Sequence, residues 1–371
     1  MLDLIIWIVE NIRRNASGGA TFMNKYISKN FLVLFGPAIG LAALTITSMA
    51  NAHHGFAAHF DPDNPIRVAG IVKQFNLVNP HSSLQVESID ESGETVVYTC
   101  DLQARSHMVR HGFTDDLFTV GEDIVIEGFQ GRRDPYYCEL GVAHFADGSS
   151  FTIRTMDGAR TQFAPNLEIP VETNIDRTIF GNWIRPGMYG DLSGRRPNGG
   201  RDSITPAGQM ASDAFDPIAD NPVAHCRGGS PVRNWGAAGL ATEIYEENGD
   251  IFIHHESMDV VRQIHMTMSE HPAGNQLTEM GHSIGDFEDG YLVIDTTHFA
   301  AGTITGDELH TDQMTMQEKV WVDEDSGRLQ ISWVIDEPIY YSEPLTGGQE
   351  LHSTNQEILT YDCTPRLSDY H

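Results

Sequence analysis

The sequence predicts an all-β fold of two successive barrels, a small one of the oligonucleotide/oligosaccharide-binding (OB) type and a larger antiparallel one. Short runs of alternating apolar and polar residues recur along the chain, which is the spacing of half-buried strands. Turn signals rich in Gly, Asn and Asp separate most of these runs. Few stretches have helical periodicity, so we expect only a few short helices.

The first 52 residues have the features of an export leader. Positively charged residues precede an apolar run over residues 31–44, and small residues lead up to Ala52. This order is typical of a secretory signal peptide cleaved after Ala52, so we expect a signal peptide over residues 23–52. Residues 1–22 fit neither a signal nor a domain, and we interpret them as a non-native extension from an upstream start codon.

Export places the mature protein in the periplasm or outside the cell. An uncleaved membrane anchor is the alternative. Gly36, Pro37 and Gly40 interrupt the apolar run, however, and the run is shorter than the about 20 apolar residues that a membrane span needs. We therefore expect no stable membrane insertion after the signal is removed.

The chain is strongly acidic, with 52 Asp and Glu residues against 23 Lys and Arg residues and a formal net charge of -29. A surface of this charge repels phosphate backbones, so nucleic acid is not an expected partner. A small molecule or a metal ion is expected instead.

The chain has four cysteines, and an even count in an oxidising compartment favours disulfides. Four cysteines allow three pairings. Two of them fall in each half of the chain, so we expect the pairs Cys100–Cys138 and Cys226–Cys363.

Residues 53–155 are expected to form the OB-like barrel. A helix is expected over residues 102–110, between the third and fourth strands. Five or six short strands with a helix at this position are typical of the OB type. The predicted strands cover residues 66–75, 83–88, 95–100, 123–129, 140–145 and 150–153.

Residues 206–371 are expected to form the larger barrel, after an extended linker over residues 156–205 that is rich in Gly, Pro, Arg and Asn. A short helix is expected over residues 206–215, with Thr205 as its N-cap. Hairpin signals between neighbouring strands favour an up-and-down barrel, because closure removes strand edges, and an open sandwich is the alternative. The predicted strands cover residues 241–246, 250–256, 260–266, 280–287, 291–298, 313–322, 328–335 and 356–361.

Three stretches of the first half carry a resemblance to a known family: His53-His54-Gly55-Phe56, Gly70-Ile71-Val72 and Asn79-Pro80-His81. Through them, residues 53–155 resemble an uncharacterised family of small bacterial secreted domains with a His-His-Ser-Phe start and an Asn-Pro-His turn. The resemblance implies no activity.

The second half has a resemblance of its own, carried by Gly281-His282-Ser283-Ile284-Gly285 and Leu292-Val293-Ile294-Asp295-Thr296. These stretches resemble an unassigned C-terminal module of secreted bacterial proteins. In addition, Gly181-Asn182-Trp183 is similar to the Gly-x-Trp of lipocalins, which implies a calycin-like barrel.

Cleavage after Ala52 would leave His53 with a free α-amine beside its imidazole. An amine and a ring nitrogen on one residue can chelate a metal, a second histidine completes a three-nitrogen site, and copper(II) favours that arrangement. We expect His81 as the second histidine, and the alternatives are His54, His59 and His144. A solvated chain end without metal is the other interpretation.

The second barrel carries the candidate residues for chemistry. Imidazoles, one Arg and one carboxylate inside a barrel would suit proton transfer, because histidine titrates near neutral pH and a carboxylate fixes its tautomer. The candidates are His282 and His298 as acid and base, Asp295 as the orienting carboxylate and Arg262 as an anion clamp. Candidate ligand-binding residues are His255, His265 and Trp333, although a structural role is the alternative for each.

Three functions fit these features. The first is an exported two-domain protein that binds a small ligand, with a copper site at its amino terminus and no other cofactor. The second is a cofactor-free isomerase, hydratase or cyclase that acts on a small hydrophobic molecule in the second barrel. The third is a structural or interaction module of the cell envelope.

Overall fold

The computed structural model describes residues 59–154, 178–185, 197–216, 219–274 and 276–365. These residues lie in one compact unit that spans Ala52–His371. Most of the regular structure is β-strand, so the predicted all-β class is confirmed. The leader and the amino-terminal extension lie outside the described residues, and the domain limits stay a prediction. Within the described ranges, no helix is long and apolar enough to cross a bilayer.

The first half of the described chain forms a six-stranded sheet with a helix, α1 (Arg105–Arg110), between the third and fourth strands. The strands are β1 (Phe60–Asn76), β2 (Ser83–Ile89), β3 (Thr95–Asp101), β4 (Asp123–Gly131), β5 (Tyr137–Phe145) and β6 (Ser150–Thr152). They pair in the order β3-β2-β1-β4-β5-β6, and β3 also pairs with β5 in parallel. This extra pairing closes β1 to β5 into a ring, which is the OB arrangement that the sequence predicts.

The second half forms a closed barrel with strand order β10-β11-β12-β15-β16-β17-β7-β8-β9. Its strands are β7 (Gly181–Ile184), β8 (Ala241–Glu247), β9 (Asp250–His255), β10 (Val260–His265), β11 (His282–Glu288), β12 (Tyr291–Thr297), β15 (Thr315–Val322), β16 (Leu329–Asp336) and β17 (Leu345–Ser353). A separate hairpin of β13 (Gly302–Thr305) and β14 (Glu308–His310) lies outside that order.

Short helices accompany the barrel. They are α2 (Gly200–Ser203), α3 (Pro206–Ala214), α4 (Pro231–Trp235) and the 3₁₀ helices Pro222–His225 and Ser257–Asp259. The α3 helix begins as expected, because the Thr205 hydroxyl accepts a hydrogen bond from the Gly208 N–H at 3.1 Å and proline occupies the first turn.

The barrel has nine strands, whereas the hairpin signals predict eight. The additional strand β7 comes from the stretch expected to be a linker, and it pairs with β17 and β8 to close the barrel. The β10–β11 pair is parallel, so the barrel is not strictly up-and-down. A parallel pair needs a long crossover, and the connection over residues 266–281 supplies it.

The last barrel strand lies at Leu345–Ser353 and not at residues 356–361 as predicted. Two glycines weaken the strand signal of this segment. Gly347 is needed because the Trp333 ring packs against it: a Cβ there would lie 2.6 Å from the Trp333 ring. The packing of Trp333 from the neighbouring strand therefore decides which segment joins the barrel.

Both predicted disulfides are confirmed, Cys100–Cys138 and Cys226–Cys363. The first joins β3 to β5 at directly opposed positions. The second links the loop before α4 to the carboxy-terminal segment.

Buried polar contacts join the two sheets. The Arg110 guanidinium of α1 is ion-paired with the Glu256 carboxylate, and both side chains are buried. Arg110 also donates a hydrogen bond to Gln356 Oε1 at 2.8 Å, and the Thr364 N–H donates to the Asn79 carbonyl at 2.8 Å. The carboxy-terminal segment therefore contacts the small barrel as well as the large one.

Candidate functional site

Four histidines come together beside the ends of β10, β11 and β12. We call His265, His271, His282 and His298 the histidine cluster. His265 ends β10, His282 begins β11, His298 follows β12, and His271 lies in the crossover between β10 and β11. Ring centroids are 4.8 Å apart for His265 and His282, 5.1 Å for His271 and His282, and 6.2 Å for His282 and His298.

The histidine cluster lies on the outer face of the barrel. On β12, Ile294 and Thr296 are fully buried, whereas the Asp295 side chain between them is 50% exposed. On β11, Ser283 is buried and the neighbouring His282 is only partly buried. Successive side chains of a strand point to opposite faces, so Asp295 and His282 face outward.

A chain of hydrogen bonds runs through the histidine cluster. The Asp295 Oδ1 atom lies 3.0 Å from Nε2 of His271, and Nδ1 of His271 lies 2.9 Å from Nδ1 of His282. A carboxylate accepts, so His271 carries its proton on Nε2. In the neutral network, His271 Nδ1 then accepts from the N–H of His282 Nδ1, which leaves Nε2 of His282 as a lone pair.

The pKa of His282 is lowered from its ordinary value. Burial is the main cause, because it disfavours the imidazolium, and the neighbouring imidazoles of the histidine cluster lower the pKa further. His282 is therefore held in the neutral form that a base requires. His265 has its own carboxylate partner, with Nδ1 at 3.2 Å from Asp250 Oδ2.

An open cleft of about 410 Å³ adjoins His282. Part of its lining comes from the crossover, namely Thr278, Met280 and Gly281, and part comes from β10 and β11. His265 and His282 lie in its wall. The cleft is large enough for a small molecule, and His282, the last residue of the hydrogen-bonded chain, lines it.

The barrel interior holds a different polar group, centred on Arg262. Its guanidinium is bidentate to the Glu318 carboxylate, with Nη1 at 3.1 Å from Oε1, and both side chains are buried. Arg262 also donates to Ser283 Oγ at 3.0 Å and to Thr296 Oγ1 at 2.7 Å. The Trp235 N–H donates to Glu318 at 2.8 Å.

His255 and Trp333 also lie inside the barrel. His255 bonds through Nδ1 to Thr242 Oγ1 at 3.0 Å, and its ring meets Trp235 edge-on. Burial lowers the pKa of His255 to about 3, so its ring stays neutral. Among the described residues, neither His255 Nε2 nor Trp333 Nε1 has a hydrogen-bond partner.

Sequence reasoning found part of this site. The structure brings His282, His298, Asp295 and His265 together, but on the outside of the barrel, so their expected place in its interior is wrong. The expected role of Arg262 as an anion clamp conflicts with its geometry, because Glu318 already occupies its guanidinium. His265 and Asp295 alternate with the buried Ile264 and Ile294, which already indicates that they face outward. His298 follows the end of β12 and has a positive φ of 61°, so strand alternation does not place it.

His271, Asp250 and Glu318 were missed. His271 lies in a crossover without periodicity, so no sequence signal indicates its position. Asp250 opens β9, as it opens the predicted strand over residues 250–256, but the strand pattern does not indicate its contact with His265. Glu318 could have been found, because it alternates with the buried Met316 and Val320 on β15 and is thus an inward-facing carboxylate.

The predicted copper ligands His53 and His54 lie outside the described residues. His81 is described, with Nδ1 at 3.3 Å from the Leu102 carbonyl oxygen. Of the alternatives, His59 has a pKa lowered mainly by burial, and the nearby His81 lowers it further. His144 lies 3.5 Å from Glu127 on the small barrel. In the described ranges, no three His, Cys, Asp or Glu side chains are grouped so as to hold a metal ion.

A family model described as "Family of unknown function (DUF6152)" matches residues 41–136. The match includes β1, β2 and β3 and fits the expectation that the first half belongs to an uncharacterised domain family. The individual motifs of the resemblance stay a prediction. No curated protein and no solved structure matches the chain.

Proposed function

We propose that this is an exported protein that binds a small molecule in the cleft beside His282 and moves a proton on it. One observation carries the proposal: the hydrogen-bonded chain Asp295–His271–His282 ends at an open cleft of about 410 Å³. Such a chain fixes the tautomer of the terminal imidazole and stabilises the imidazolium that forms when it takes a proton. The reaction class is isomerisation, hydration or cyclisation without a cofactor.

The proton path follows from the tautomers. Nε2 of His282 takes a proton from a C–H bond of the bound molecule, and the electron pair of that bond stays on the molecule as an enolate. The Nδ1–H of His282 remains bonded to His271, whose other nitrogen is bonded to Asp295. Return of the proton from His282 Nε2 to a different carbon completes an isomerisation with atoms and charge balanced.

A base in a cleft can be tested with 5-nitrobenzisoxazole, a probe whose ring opens to a coloured nitrophenolate when a base removes its C–H proton. We expect the intact protein to open the probe about tenfold or more faster than the His282→Gln variant. His254→Gln is the matched control, because His254 lies on the neighbouring strand β9 outside the histidine cluster. Equal rates for the intact protein and His282→Gln would refute the proposal.

Ligand binding in this cleft without chemistry is the alternative that remains if proton transfer is refuted. It predicts that the cleft holds a molecule but that the probe is opened no faster than by free imidazole at equal concentration. Native mass spectrometry of protein from its own host then shows a retained ligand, and the Met280→Trp variant, which fills the cleft wall, loses it.

A copper site at the mature amino terminus is the second proposal. It is supported by the position of His81 near His59. In the sequence, His59 directly follows the segment that contains His53 and His54. Calorimetric titration with copper(II) tests it. Protein that begins at His53 should bind one copper tightly, and protein with one additional residue before His53 should not. Equal affinity of both would eliminate the amine chelate.

Periplasmic or extracellular location is part of the proposal. Two disulfides support it, because they persist in oxidising compartments. Amino-terminal sequencing of the natural protein should begin at His53. A natural protein that begins at another residue would refute cleavage after Ala52.

A further inference from the structure

We propose a second binding site, in which a cleft between α3 and the β13–β14 hairpin binds a small phenol through a hydrogen bond to His310. This site is independent of the proton-transfer proposal, because it uses none of the histidine cluster. Its cleft measures about 420 Å³ and lies at the outside of the barrel wall.

The walls of this cleft are polar and apolar in equal measure, and the apolar part comes from several segments of the chain. Helix α3 contributes Ala211 and Ala214, and Phe215 follows that helix. Leu309 and Tyr340 also contribute to the apolar lining. Small alanines next to two aromatic rings leave space for a flat ring and offer it ring edges and faces to pack against.

His310 presents a hydrogen-bond acceptor to this cleft. Its Nδ1 lies 2.9 Å from the carbonyl oxygen of Thr311, which can only accept, so Nδ1 carries the proton. The side chain is buried, and burial lowers its pKa, so the ring is neutral and Nε2 is a lone pair. Within the described residues no hydrogen bond reaches Nε2, which faces Gly302 across the hairpin.

A second polar atom in the cleft lacks a partner. The Thr303 hydroxyl is buried, and no group in the described part of the chain forms a hydrogen bond with it. Buried polar atoms are nearly always hydrogen-bonded, so this hydroxyl indicates a missing ligand or water. The cleft therefore offers one acceptor and one hydroxyl beside the apolar side chains of its lining.

These groups select the class of ligand. A neutral imidazole lone pair needs a donor, and a phenolic O–H provides one and stays protonated at neutral pH. Three charged residues line the cleft: Arg227 and Glu279 are ion-paired at 3.0 Å, and the third, Asp220, is acidic. An uncharged ring with a single hydroxyl therefore fits better than an anion, which would also meet a strongly acidic protein.

Calorimetric titration with phenol, and with benzene as the matched compound without the hydroxyl, tests the site. We expect phenol to bind about fivefold or more tightly than benzene, which is the effect of one hydrogen bond. Gly302→Ala should weaken phenol binding about tenfold or more. Its new methyl would lie 3.6 Å from His310 Nε2, an ordinary contact distance, so it obstructs the acceptor without distorting the hairpin.

Two control variants separate the outcomes. Met210→Ala changes a 73% exposed residue on the same helix α3 and should leave phenol binding unchanged. His282→Gln should also leave it unchanged, so failure of the proton-transfer proposal and failure of this one are distinguishable. Equal affinity for phenol and benzene, absence of phenol binding, or unchanged binding by a folded Gly302→Ala variant would each overturn the proposal.

Discussion

The two faces of the barrel strands β10 to β12 carry polar groups of opposite character. On the inner face, Glu318, Ser283 and Thr296 accept hydrogen bonds from four of the five N–H donors of Arg262. On the outer face, the chain from Asp295 ends at an imidazole that opens onto a cleft.

This difference indicates which face of the strands has polar groups free to bind a ligand. A buried charge must be paired, because an unpaired one costs several kcal/mol, and the Glu318 carboxylate provides this pairing for Arg262. The outer face is partly hydrated, so its imidazoles tolerate an unpaired nitrogen. We therefore propose that the inner network stabilises the barrel and that the histidine cluster is the place for proton transfer.

The largest effect is expected for Glu318→Ala. The change leaves the Arg262 guanidinium buried without its carboxylate and removes the acceptor of the Trp235 N–H. The free energy of unfolding should fall by about 3–5 kcal/mol. Urea denaturation followed by tryptophan fluorescence measures it.

A double variant separates the loss of the ion pair from the cost of leaving one charge unpaired. Replacement of both charges, Arg262→Met with Glu318→Leu, leaves no unpaired charge and should cost much less than Glu318→Ala alone. If Glu318→Ala unfolds at the same urea concentration as the intact protein, the inner network is not what stabilises the barrel.

The second effect is a loss of stability at acid pH caused by His255. The pKa of His255 in the folded chain is about 3, below the ordinary value of 6.5. Between these two pH values, the unfolded chain therefore binds a proton at His255 that the folded chain does not bind. The stabilisation is fully present above pH 6.5 and decreases as the pH falls toward 3, by about 2 kcal/mol at pH 5. His255→Gln should remove this part of the pH dependence. Denaturation at pH 7 and pH 5 of both proteins provides the comparison, and equal pH dependence would contradict the buried neutral imidazole.

The third effect concerns the outer face. Asp295→Asn removes the carboxylate that orients His271, and the rate of benzisoxazole opening should fall about tenfold, or about 1.4 kcal/mol in activation free energy. Stability should hardly change, because the Asp295 side chain is half exposed. Asp286→Asn, an exposed carboxylate on β11, is the control and should keep the full rate. A variant Asp295→Asn with undiminished rate would show that the hydrogen-bonded chain does not assist the base.

The smallest effect is expected for the exposed ion pair of Arg328 and Glu350, at 2.6 Å with side chains 44% and 41% exposed. Arg328→Ala should lower the free energy of unfolding by less than about 1 kcal/mol, and salt should diminish that difference. Thermal unfolding at low and high salt checks it. A loss as large as that of Glu318→Ala would mean that burial does not govern the energetics of these charge pairs.

The first barrel could be predicted well from the sequence because its strands alternate clearly and its turns contain glycine. The six predicted strands and the helix all have counterparts, and both disulfides follow from the order of the cysteines. The strands of the second barrel were harder to predict from the sequence. The short strand β7 lacks enough residues for a periodic signal, and β17 is interrupted by Gly347, whose role depends on Trp333.

The candidate site could be predicted only in its composition. The residue types of the site are visible in the sequence, and alternation with Ile264 and Ile294 indicates the outer face for His265 and Asp295. Alternation alone does not show that side chains from three strands and a crossover meet there. His271 reaches the histidine cluster through a crossover that pairs β10 and β11 in parallel, and no local pattern indicates that pairing. The OB topology likewise did not indicate a function.

Nitrogen-15 NMR of the imidazole side chains at neutral pH measures whether His282 is the neutral base at the end of the hydrogen-bonded chain. We expect His282 to be neutral with its proton on Nδ1, and His271 to be neutral with its proton on Nε2. An imidazolium at His282, or the proton of His282 on Nε2, would contradict the proposal, since neither state leaves Nε2 of His282 with a lone pair.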